Sequence, residues 1–264
     1  MGFDFCSFSS GSSGNCYLVR SECTAVLVDA GISRTRIMEG LARTGTDPAI
    51  LRALLVTHEH IDHVRGASAL LKKEKGIVAF ANEKTWAAAG ERAPAAGRRN
   101  FVTGESFRVG DILVKTFAVN HDAADPVGYT LTHGGRQISI ITDTGHVDEE
   151  MLLAAGDADI LVLEANHDED MLKYGRYSMA LKQRVLGDRG HLSNTAAGNA
   201  IVKWLEGVKK ERRVLLAHLS RENNFPEMAL QTIRNILEEK KYYIGRDLRL
   251  DTMARDEIGP VYEA

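Results

Sequence analysis

An octapeptide at residues 56–63, Val-Thr-His-Glu-His-Ile-Asp-His, constrains the fold of this chain more than any other segment. It places four metal-binding side chains within six positions: His58, His60, Asp62 and His63. The apolar run just before it, Ala-Leu-Leu-Val, predicts a buried strand, so the cluster begins where a strand ends. His58 and His60 point the same way in an extended chain, whereas Asp62 and His63 diverge once the chain turns. Two neighbouring metal ions can bind all four side chains more easily than one ion. A histidine-rich surface turn is the weaker alternative.

Imidazole and carboxylate ligands favour Zn, Mn or Fe, and the lack of thiolates argues against a purely structural zinc. The sequence therefore predicts two divalent ions, with Zn or Mn favoured over Fe.

The pattern Thr-His-x-His-x-Asp-His, followed by a later His, Asp and His, resembles the signature of the metallo-β-lactamase superfamily. That signature asks for each of the later residues just after a strand, and the chain supplies His121, Asp143 and His218, each just past an apolar, β-rich run. If each run is a strand, the three side chains can open on one edge of a sheet. The resemblance covers most of the chain. It implies an α/β fold, the four-layer α/β/β/α metallo-β-lactamase sandwich, with the metal ions at one edge. It assigns the first ion to His58, His60 and His121. It assigns the second ion to Asp62, His63 and His218, with Asp143 bridging the two ions.

Length and composition favour a single domain over residues 1–264, because the sequence shows no linker, low-complexity tract or repeat. A hydrophobic fraction of 44% is enough for a sizeable core. No apolar run approaches the roughly 20 residues needed to cross a membrane, and the first residues do not resemble a signal peptide. We therefore expect a cytoplasmic protein without a membrane partner. The net charge of −3 gives no global argument for nucleic acid but permits a local basic groove.

The order of apolar runs, turns and caps predicts strands in the first and third quarters of the chain and helices towards its end. Residues 63–73 are predicted as one helix over the metal ligands, and residues 194–205 as a helix capped by Ser193 or Asn194. Gly134-Gly135 between two β-rich runs predicts a hairpin turn. This mixture fits a sheet sandwich flanked by helices.

A small-residue loop, Ser-Ser-Gly-Ser-Ser-Gly-Asn at residues 9–15, connects two predicted strands. Hydroxyls and free backbone N–H groups in such a loop can cradle a phosphate. Ser12, Ser13 and Asn15 are therefore candidate phosphate contacts. The alternative is a flexible hairpin connection.

His167 lies in Glu-Ala-Asn-His-Asp, directly after a predicted strand. It is a candidate substrate contact, or a group that supports a metal ligand from behind. The alternative is the start of a helix, capped by Asn166 or Asp168. Proximity to the site is favoured without a direct metal bond.

His191 opens the segment Gly-His-Leu-Ser-Asn-Thr, after a basic stretch at 182–189. A helix N-terminus with exposed N–H groups attracts anions, which makes Ser193 and Asn194 candidate phosphate contacts. His191 itself is a candidate catalytic residue that protonates the leaving group or stabilises a pentacovalent phosphorane, or a residue that contacts phosphate. The alternative is a capping residue on a surface loop.

Several longer segments resemble the bacterial YycJ (WalJ) branch of the superfamily: Ser-Gly-Ser-Ser-Gly-Asn-Cys-Tyr, His-Asp-Ala-Ala-Asp-Pro-Val-Gly-Tyr, Glu-Ala-Asn-His-Asp, Arg-Gly-His-Leu-Ser-Asn and Ala-His-Leu-Ser-Arg-Glu-Asn-Asn. That branch is regarded as single-domain exonucleases that act 5′ to 3′ on DNA. The resemblance implies a metal-dependent phosphodiesterase in which a hydroxide shared by two ions attacks phosphorus. Asp62, Asp143 and His191 are then the catalytic residues.

Three alternatives stay open at this point. Two are enzymes of the same fold, a small-molecule (cyclic) phosphodiesterase and a thioesterase of the hydroxyacylglutathione type, because fold does not decide the reaction. The third is an inactive metal-containing module that binds DNA. The sequence leaves open the native metal, DNA against RNA, the polarity of cleavage, the oligomeric state and the biological pathway.

Overall fold

The computed structural model describes residues 2–92, 97–206 and 210–264. The chain divides into two compact units. The first unit comprises Met1–Ala118, Ala123–Gln137 and Ala254–Ala264, and the second comprises Val119–Asp122 and Ile138–Met253. The prediction of a single domain over residues 1–264 stays a prediction.

Within the described residues, the strands fall into two seven-stranded sheets. In chain order the strands are β1 (Asp4–Ser9), β2 (Cys16–Arg20), β3 (Ala25–Val28), β4 (Leu51–Leu55), β5 (Val78–Ala81), β6 (Arg98–Asn100), β7 (Ser106–Val109), β8 (Ile112–Ala118), β9 (Val127–His133), β10 (Arg136–Ile141), β11 (Ile160–Glu164), β12 (Arg212–Ala217), β13 (Leu248–Thr252) and β14 (Val261–Glu263). The α-helices are α1 (Arg34–Arg43), α2 (Ile61–Val64), α3 (Ala67–Lys73), α4 (Glu83–Ala89), α5 (Glu149–Ala155), α6 (Glu169–Tyr174), α7 (Met179–Leu186), α8 (Asn194–Leu205) and α9 (Pro226–Glu239). Short 3₁₀ helices occupy Pro48–Ile50 and Gly90–Arg92.

One complete sheet lies in the first unit, with the strand order β14-β1-β2-β3-β4-β5-β6. Strands β14, β1, β2 and β3 pair antiparallel, and β3 to β6 pair parallel. The parallel strands are joined through helices, as crossover connections require. The core includes Phe8, Leu27 and Leu54, which are fully buried. The apolar run before the octapeptide is therefore a buried strand, β4, as predicted.

An antiparallel run of β7, β8 and β9 also belongs to the first unit. After β9 the chain turns at Gly134 and Gly135, whose φ angles are 56° and 79°. Positive φ at both central residues is what a type I′ hairpin turn requires, and only glycine adopts it without strain. The predicted turn lies at these two residues.

The second unit contains a parallel run, β10-β11-β12-β13. The central strand β11 is buried along its whole length, and β12 is buried except at the half-buried Arg213, as expected for parallel strands covered on both faces. Ile141 pairs with Leu163, and Leu163 pairs with Leu216. The residues that follow these three positions therefore emerge at one edge of the sheet, which places Asp143 and His218 near each other, as predicted.

The predicted helix over residues 63–73 is two helices, α2 and α3, interrupted at Arg65 and Gly66. The Gly66 amide donates to the Ala30 carbonyl at 2.7 Å, and a Cβ at position 66 would lie 1.9 Å from the Ile32 carbonyl oxygen. This close approach to the neighbouring loop breaks the helix, and hydrophobic periodicity does not reveal it. The helix at 194–205 has the predicted bounds, with Ser193 as its cap. Within the described ranges, no helix combines the length and apolar character that a membrane crossing needs.

Candidate metal centre

The octapeptide forms a compact histidine cluster at the carboxyl end of β4, in the first unit. His58 and His63 are buried, and His60 is half-buried at the residue that precedes α2. The ring centroid of His58 lies 4.6 Å from that of His60 and 4.1 Å from that of His63. Asp62 lies in the first turn of α2, with its side chain 17% exposed. The structure thus brings these four predicted ligands together.

A buried carboxylate fixes the orientation of two of these histidines. Asp29 accepts from His63 Nδ1 at 2.7 Å and from the backbone N–H and hydroxyl of Thr57, both at 2.8 Å. Because the Thr57 hydroxyl donates to Asp29, it can accept from His58 Nδ1, 2.9 Å away. Burial raises the pKa of Asp29, and its contacts with His63 and Thr57 oppose that rise only partly. Both imidazoles therefore present Nε2 as the lone-pair nitrogen.

The small-residue loop at 9–15 packs directly against this cluster. Asn15 Nδ2 lies 3.0 Å from His63 Nε2 and 3.5 Å from Asp62 Oδ2. The Asn15 amide donates to the Asp62 carbonyl at 2.7 Å, and the Gly31 amide donates to the Asn15 carbonyl at 2.8 Å. A Cβ at Gly31 would lie 1.6 Å from the Asp62 carbonyl oxygen, so only glycine fits there. The loop therefore holds the ligand segment in place.

The predicted phosphate contacts in this loop differ in their surroundings. Ser12 is exposed, and the Ser13 hydroxyl donates to Asp256 at 2.8 Å. The side-chain oxygen Oδ1 of the buried Asn15 accepts from the Gly11 amide at 2.8 Å. Asn15 thus has a structural role beside the ligands. Phosphate binding by Ser12, Ser13 and Asn15 stays a prediction.

Two predicted ligands in the second unit, Asp143 and His218, have a backbone conformation that non-glycine residues rarely adopt. Both have φ of 54°, and both lie just past a strand end, β10 and β12 respectively. Such strained residues persist only where surrounding contacts determine their conformation, and they concentrate at functional sites. Here the Asn166 side-chain amide donates to the His218 carbonyl at 2.9 Å.

Glu164, at the end of β11, organises this second cluster. Its Oε1 accepts from His191 Nδ1 and from His218 Nδ1, each at 2.8 Å. Its Oε2 accepts from the backbone amides of Thr144 at 2.9 Å and Leu192 at 3.1 Å. Burial alone would raise the pKa of Glu164, but the two histidines outweigh it and hold the pKa well below its usual range. The sequence prediction missed Glu164, although a carboxylate directly after a buried apolar strand was an available signal.

Asp143, Glu164, His191 and His218 each offer a ligand atom within 4.8 Å of the others. The shortest of these contacts are hydrogen bonds between the imidazole Nδ1 atoms and Glu164. Asp143 Oδ1 lies 3.3 Å from His218 Nδ1 and 3.8 Å from His191 Nδ1. Since one oxygen of Glu164 already accepts from two imidazoles and the other from two amides, Glu164 orients ligands and is a poor candidate ligand itself.

His121 is held by the loop that precedes His191. Its Nδ1 lies 3.0 Å from the Gly190 carbonyl oxygen, and its own carbonyl accepts from Arg189 Nε at 2.9 Å. Burial lowers the pKa of His121, which favours the neutral, metal-binding form. Only glycine fits at position 190, where the carbonyl contacts the His121 ring, because a Cβ there would lie 2.2 Å from the Val185 carbonyl oxygen.

His191 is the partly exposed member of the second cluster, with its side chain 19% exposed. Its ring centroid lies 5.1 Å from those of His121 and His218. Burial acts to lower its pKa, but the adjacent Glu164 carboxylate outweighs burial and the pKa is raised. His191 is not a cap, because Ser193 caps α8 by accepting from the Ala196 amide at 3.1 Å.

The remaining predicted contacts lie beside this cluster. The Ser193 hydroxyl also donates to Glu169 at 2.9 Å, and Asn194 pairs with Asn224 through both side-chain amides. His167 is buried, and neither ring nitrogen has a hydrogen-bond partner among the described residues. Its carbonyl accepts from the Asn194 amide at 2.8 Å, and burial lowers its pKa. Their roles towards a substrate stay predictions.

Residues 24–219 match a family model described as the beta-lactamase superfamily domain. This chain belongs to the beta-lactamase superfamily. It is 36% identical over 268 residues to a Streptococcus pneumoniae protein named exodeoxyribonuclease WalJ, which covers 100% of this chain and 98% of the relative. It is 36% identical over 248 residues to the Bacillus anthracis protein named exodeoxyribonuclease YycJ, covering 93% of both. The predicted YycJ/WalJ-like branch is confirmed.

Two solved structures show the same fold over at least 99% of this chain. The metallo-β-lactamase fold protein YhfI from Bacillus subtilis superposes with a TM-score of 0.74 at 14% identity, covering 100% of both chains. Zinc-bound PqqB from Methylobacterium extorquens superposes with a TM-score of 0.68 at 15% identity, covering 99% of this chain and 100% of PqqB. The predicted fold class, an α/β sandwich of two mixed sheets flanked by helices, is confirmed.

The donor set fits the divalent metals of a metallo-β-lactamase fold. Metal-binding histidines ordinarily donate the second ring N–H to a carboxylate, carbonyl or hydroxyl, which fixes the tautomer. His63 and His218 have Nδ1 against the carboxylates of Asp29 and Glu164. His58 and His121 have Nδ1 against neutral oxygens, the Thr57 hydroxyl and the Gly190 carbonyl. With Nδ1 engaged, Nε2 is the ring nitrogen that would coordinate a metal. For two of the four it has a neighbour within hydrogen-bond range: His63 Nε2 lies 3.0 Å from Asn15 Nδ2, and His121 Nε2 lies 3.3 Å from Asp122 Oδ1.

Proposed function

We propose that this chain is a metal-dependent phosphodiesterase that degrades DNA from the 5′ end as an exonuclease. Support for a nuclease of the metallo-β-lactamase fold comes from full-length identity of 36% to proteins named exodeoxyribonuclease. The observation that supports the mechanism is the pair of histidines, His191 and His218, that Glu164 holds. One oxygen of Glu164 holds both a predicted metal ligand, His218, and a partly exposed imidazole, His191. This arrangement supplies a proton donor beside a metal ligand.

The proposed metal ligands are those that the family resemblance assigns. The first ion would be held by His58, His60 and His121, and the second by Asp62, His63 and His218, with Asp143 shared between the two. Two ions, Zn or Mn with Fe as a further possibility, would supply Lewis-acid activation of a water molecule and of the scissile phosphate. Each histidine whose Nδ1 is anchored meets its ion already oriented, so little rearrangement is needed on binding.

The protein residues divide the remaining work. Asp62 and Asp143 orient the nucleophilic water in line with the leaving oxygen. His191 keeps Nδ1 on Glu164 and can therefore deliver a proton from Nε2 to the leaving 3′ oxygen as it departs. The negative charge of Glu164 stabilises the protonated imidazole, as a buried carboxylate behind a general acid does. Glu164 is thus the positioning residue, and His191 the catalytic residue.

Among the proposed substrate contacts, His167 is the best candidate for a hydrogen bond to the substrate. Its buried ring nitrogens lack a hydrogen-bond partner among the described residues, whereas Ser193 and Asn194 have structural partners. Burial of polar atoms without a partner costs free energy, so a substrate phosphate or bridging water that reached His167 would be bound favourably. Ser12 and Ser13 remain proposed contacts at the loop surface, and Asn15 is proposed as a contact through its position beside His63.

The test is a degradation assay on 5′-labelled and 3′-labelled DNA and RNA, single- and double-stranded, with Mn or Zn. We expect stepwise loss of nucleotides from the 5′ end of DNA, absent in Asp143→Ala, which should lower turnover by about 10⁴-fold. Unchanged turnover in Asp143→Ala would contradict the proposed centre. Hydrolysis of bis(p-nitrophenyl) phosphate without action on any polymer would point to a small phosphodiester, and hydrolysis of thioesters alone to a thioesterase. DNA binding without cleavage would identify an inactive module.

A further inference from the structure

A basic surface in the second unit is formed by the end of α6, the whole of α7 and the loop after it. We call residues 171–189 the α6–α7 surface. Its cationic side chains are Lys173, Arg176, Lys182, Arg184 and Arg189. Asp188 is the single acidic residue in this range, although the chain as a whole carries a net charge of −3. Arg184 is paired with Asp122, with 2.5 Å between Nε and Oδ2. The excess positive charge of this surface therefore rests on the other four cationic side chains.

The same surface exposes large apolar side chains. Tyr174 is 77% exposed, Met179 69% and Leu186 53%. Met179, Lys182 and Leu186 are spaced by three and four residues, so they lie on one face of α7. The Lys173 ammonium lies 5.3 Å from the centre of the Tyr174 ring. Cationic and apolar side chains therefore alternate along a surface that is open to solvent. Exposed apolar groups of this kind indicate a binding surface, since a helix face that contacts only water is typically polar.

Backbone contacts connect this surface directly to the second cluster. Arg189 donates to the carbonyl of His121, and the next residue, Gly190, accepts from the His121 ring. The His191 amide donates to the Val185 carbonyl, in the last turn of α7, at 2.9 Å. A polymer lying along α7 would therefore lead to the imidazole that we propose as proton donor.

We propose that the α6–α7 surface binds the single-stranded part of a DNA substrate. Bases would stack on Tyr174 and contact Met179 and Leu186, while the cations neutralise phosphates. Stacking on side chains requires unstacked bases, which a single strand offers and a duplex does not. A second copy of this chain is a poorer occupant, because a two-fold contact would oppose two surfaces of like charge. This inference rests on the proposed nuclease function, whose substrate it positions.

The experiment measures binding of a short, fluorescent, 5′-phosphorylated DNA strand by anisotropy across a salt series, in EDTA to prevent turnover. Tyr174→Ala should weaken binding about tenfold, within the range for loss of one stacked base. Arg176→Ala and Lys182→Ala should each reduce the slope of log K against log salt by about 0.7. The matched controls are Tyr243→Ala, another exposed tyrosine that stacks with an arginine, and Lys240→Ala at the end of α9. Both should bind like the unchanged protein.

The same variants are assayed for hydrolysis of bis(p-nitrophenyl) phosphate and of single-stranded DNA. Tyr174→Ala should raise KM for DNA and leave the small ester unaffected, because the surface lies outside the reacting centre. If the unchanged protein degrades DNA but these variants match the controls, the α6–α7 surface is wrong and the nuclease function stands. If it degrades no DNA, the nuclease function fails, and the binding series alone decides: variant-sensitive binding supports the surface, and its absence overturns it. A change in oligomeric state without loss of DNA binding would assign the surface to self-association.

Discussion

Two buried carboxylates, Asp29 in the first unit and Glu164 in the second, hold histidines in ways that differ. Asp29 accepts from one imidazole and from both polar groups of Thr57. Glu164 accepts from two imidazoles on one oxygen and from two backbone amides on the other. Burial raises the pKa of Asp29, whereas the two histidines hold that of Glu164 below its usual value.

The difference follows from how each cluster is assembled. Asp29 supports ligands that already lie together within one octapeptide, so it needs to fix only their rotation. Glu164 joins three other segments that are far apart in sequence, at Thr144, at His191 with Leu192, and at His218. Its four accepted hydrogen bonds determine the relative positions of those segments. Loss of Glu164 should therefore damage both position and orientation, and loss of Asp29 mainly orientation.

The largest expected effect is on stability, in the matched amide variants Glu164→Gln and Asp29→Asn. A glutamine NH₂ must face either the two imidazole donors or the two amide donors, so two hydrogen bonds are lost whichever way it turns. An asparagine at position 29 can turn its NH₂ towards the Thr57 amide, and then only one hydrogen bond is lost. We expect the free energy of unfolding to fall by about 2–4 kcal/mol in Glu164→Gln and by about 1–2 kcal/mol in Asp29→Asn. Urea unfolding in EDTA measures both, and equal losses would remove the distinction.

The effect on activity should follow the same order. Groups that support metal ligands from behind contribute about 10–100-fold to metal affinity or activity. We expect Glu164→Gln near the upper end, since it disturbs His191 and His218 together, and Asp29→Asn near the lower end. The assay is hydrolysis of bis(p-nitrophenyl) phosphate with saturating Mn. A larger loss in Asp29→Asn would reverse the proposed roles. Metal content by mass spectrometry separates loss of metal from loss of the proposed proton donor, because His191→Ala should keep the metal content of the unchanged protein.

Sequence patterns reveal the first cluster better than the second for a physical reason. Four ligands in six positions can be recognised because local geometry alone brings them together, and the apolar run before them predicts β4. The three downstream ligands, His121, Asp143 and His218, come from the family resemblance. Glu164 is a single carboxylate after a strand, and its importance arises only from the register of β10, β11 and β12. The break between α2 and α3 has the same origin, since Gly66 approaches Ala30 and Ile32, which lie outside the helix. Contacts between distant segments carry no local periodicity.

A smaller effect is expected where glycine allows the chain to approach a ligand segment. Gly31→Ala places a Cβ against the Asp62 carbonyl, and Gly190→Ala places one against the Val185 carbonyl. Both neighbours are backbone, so the loops must shift, at a cost of about 1–3 kcal/mol each. We expect Gly31→Ala to weaken metal binding by the octapeptide and Gly190→Ala to displace His121. Calorimetric titration with Zn tests both, and unchanged affinity with unchanged stability would show that the loops adapt freely.

The smallest effect is expected at Thr57, whose hydroxyl links His58 to Asp29. Thr57→Val removes the acceptor for His58 Nδ1 and one donor to Asp29 while keeping the shape of the side chain. Because this support is neutral, its loss should weaken metal affinity by only about threefold, less than the loss of a carboxylate. Thr57→Ser keeps the hydroxyl and should bind metal like the unchanged protein. Competition with a chromogenic chelator measures the metal affinity of the unchanged protein, of Thr57→Val and of Thr57→Ser. If Thr57→Val matches Asp29→Asn, then Asp29 acts on the ligands mainly through Thr57, and its direct bond to His63 contributes little.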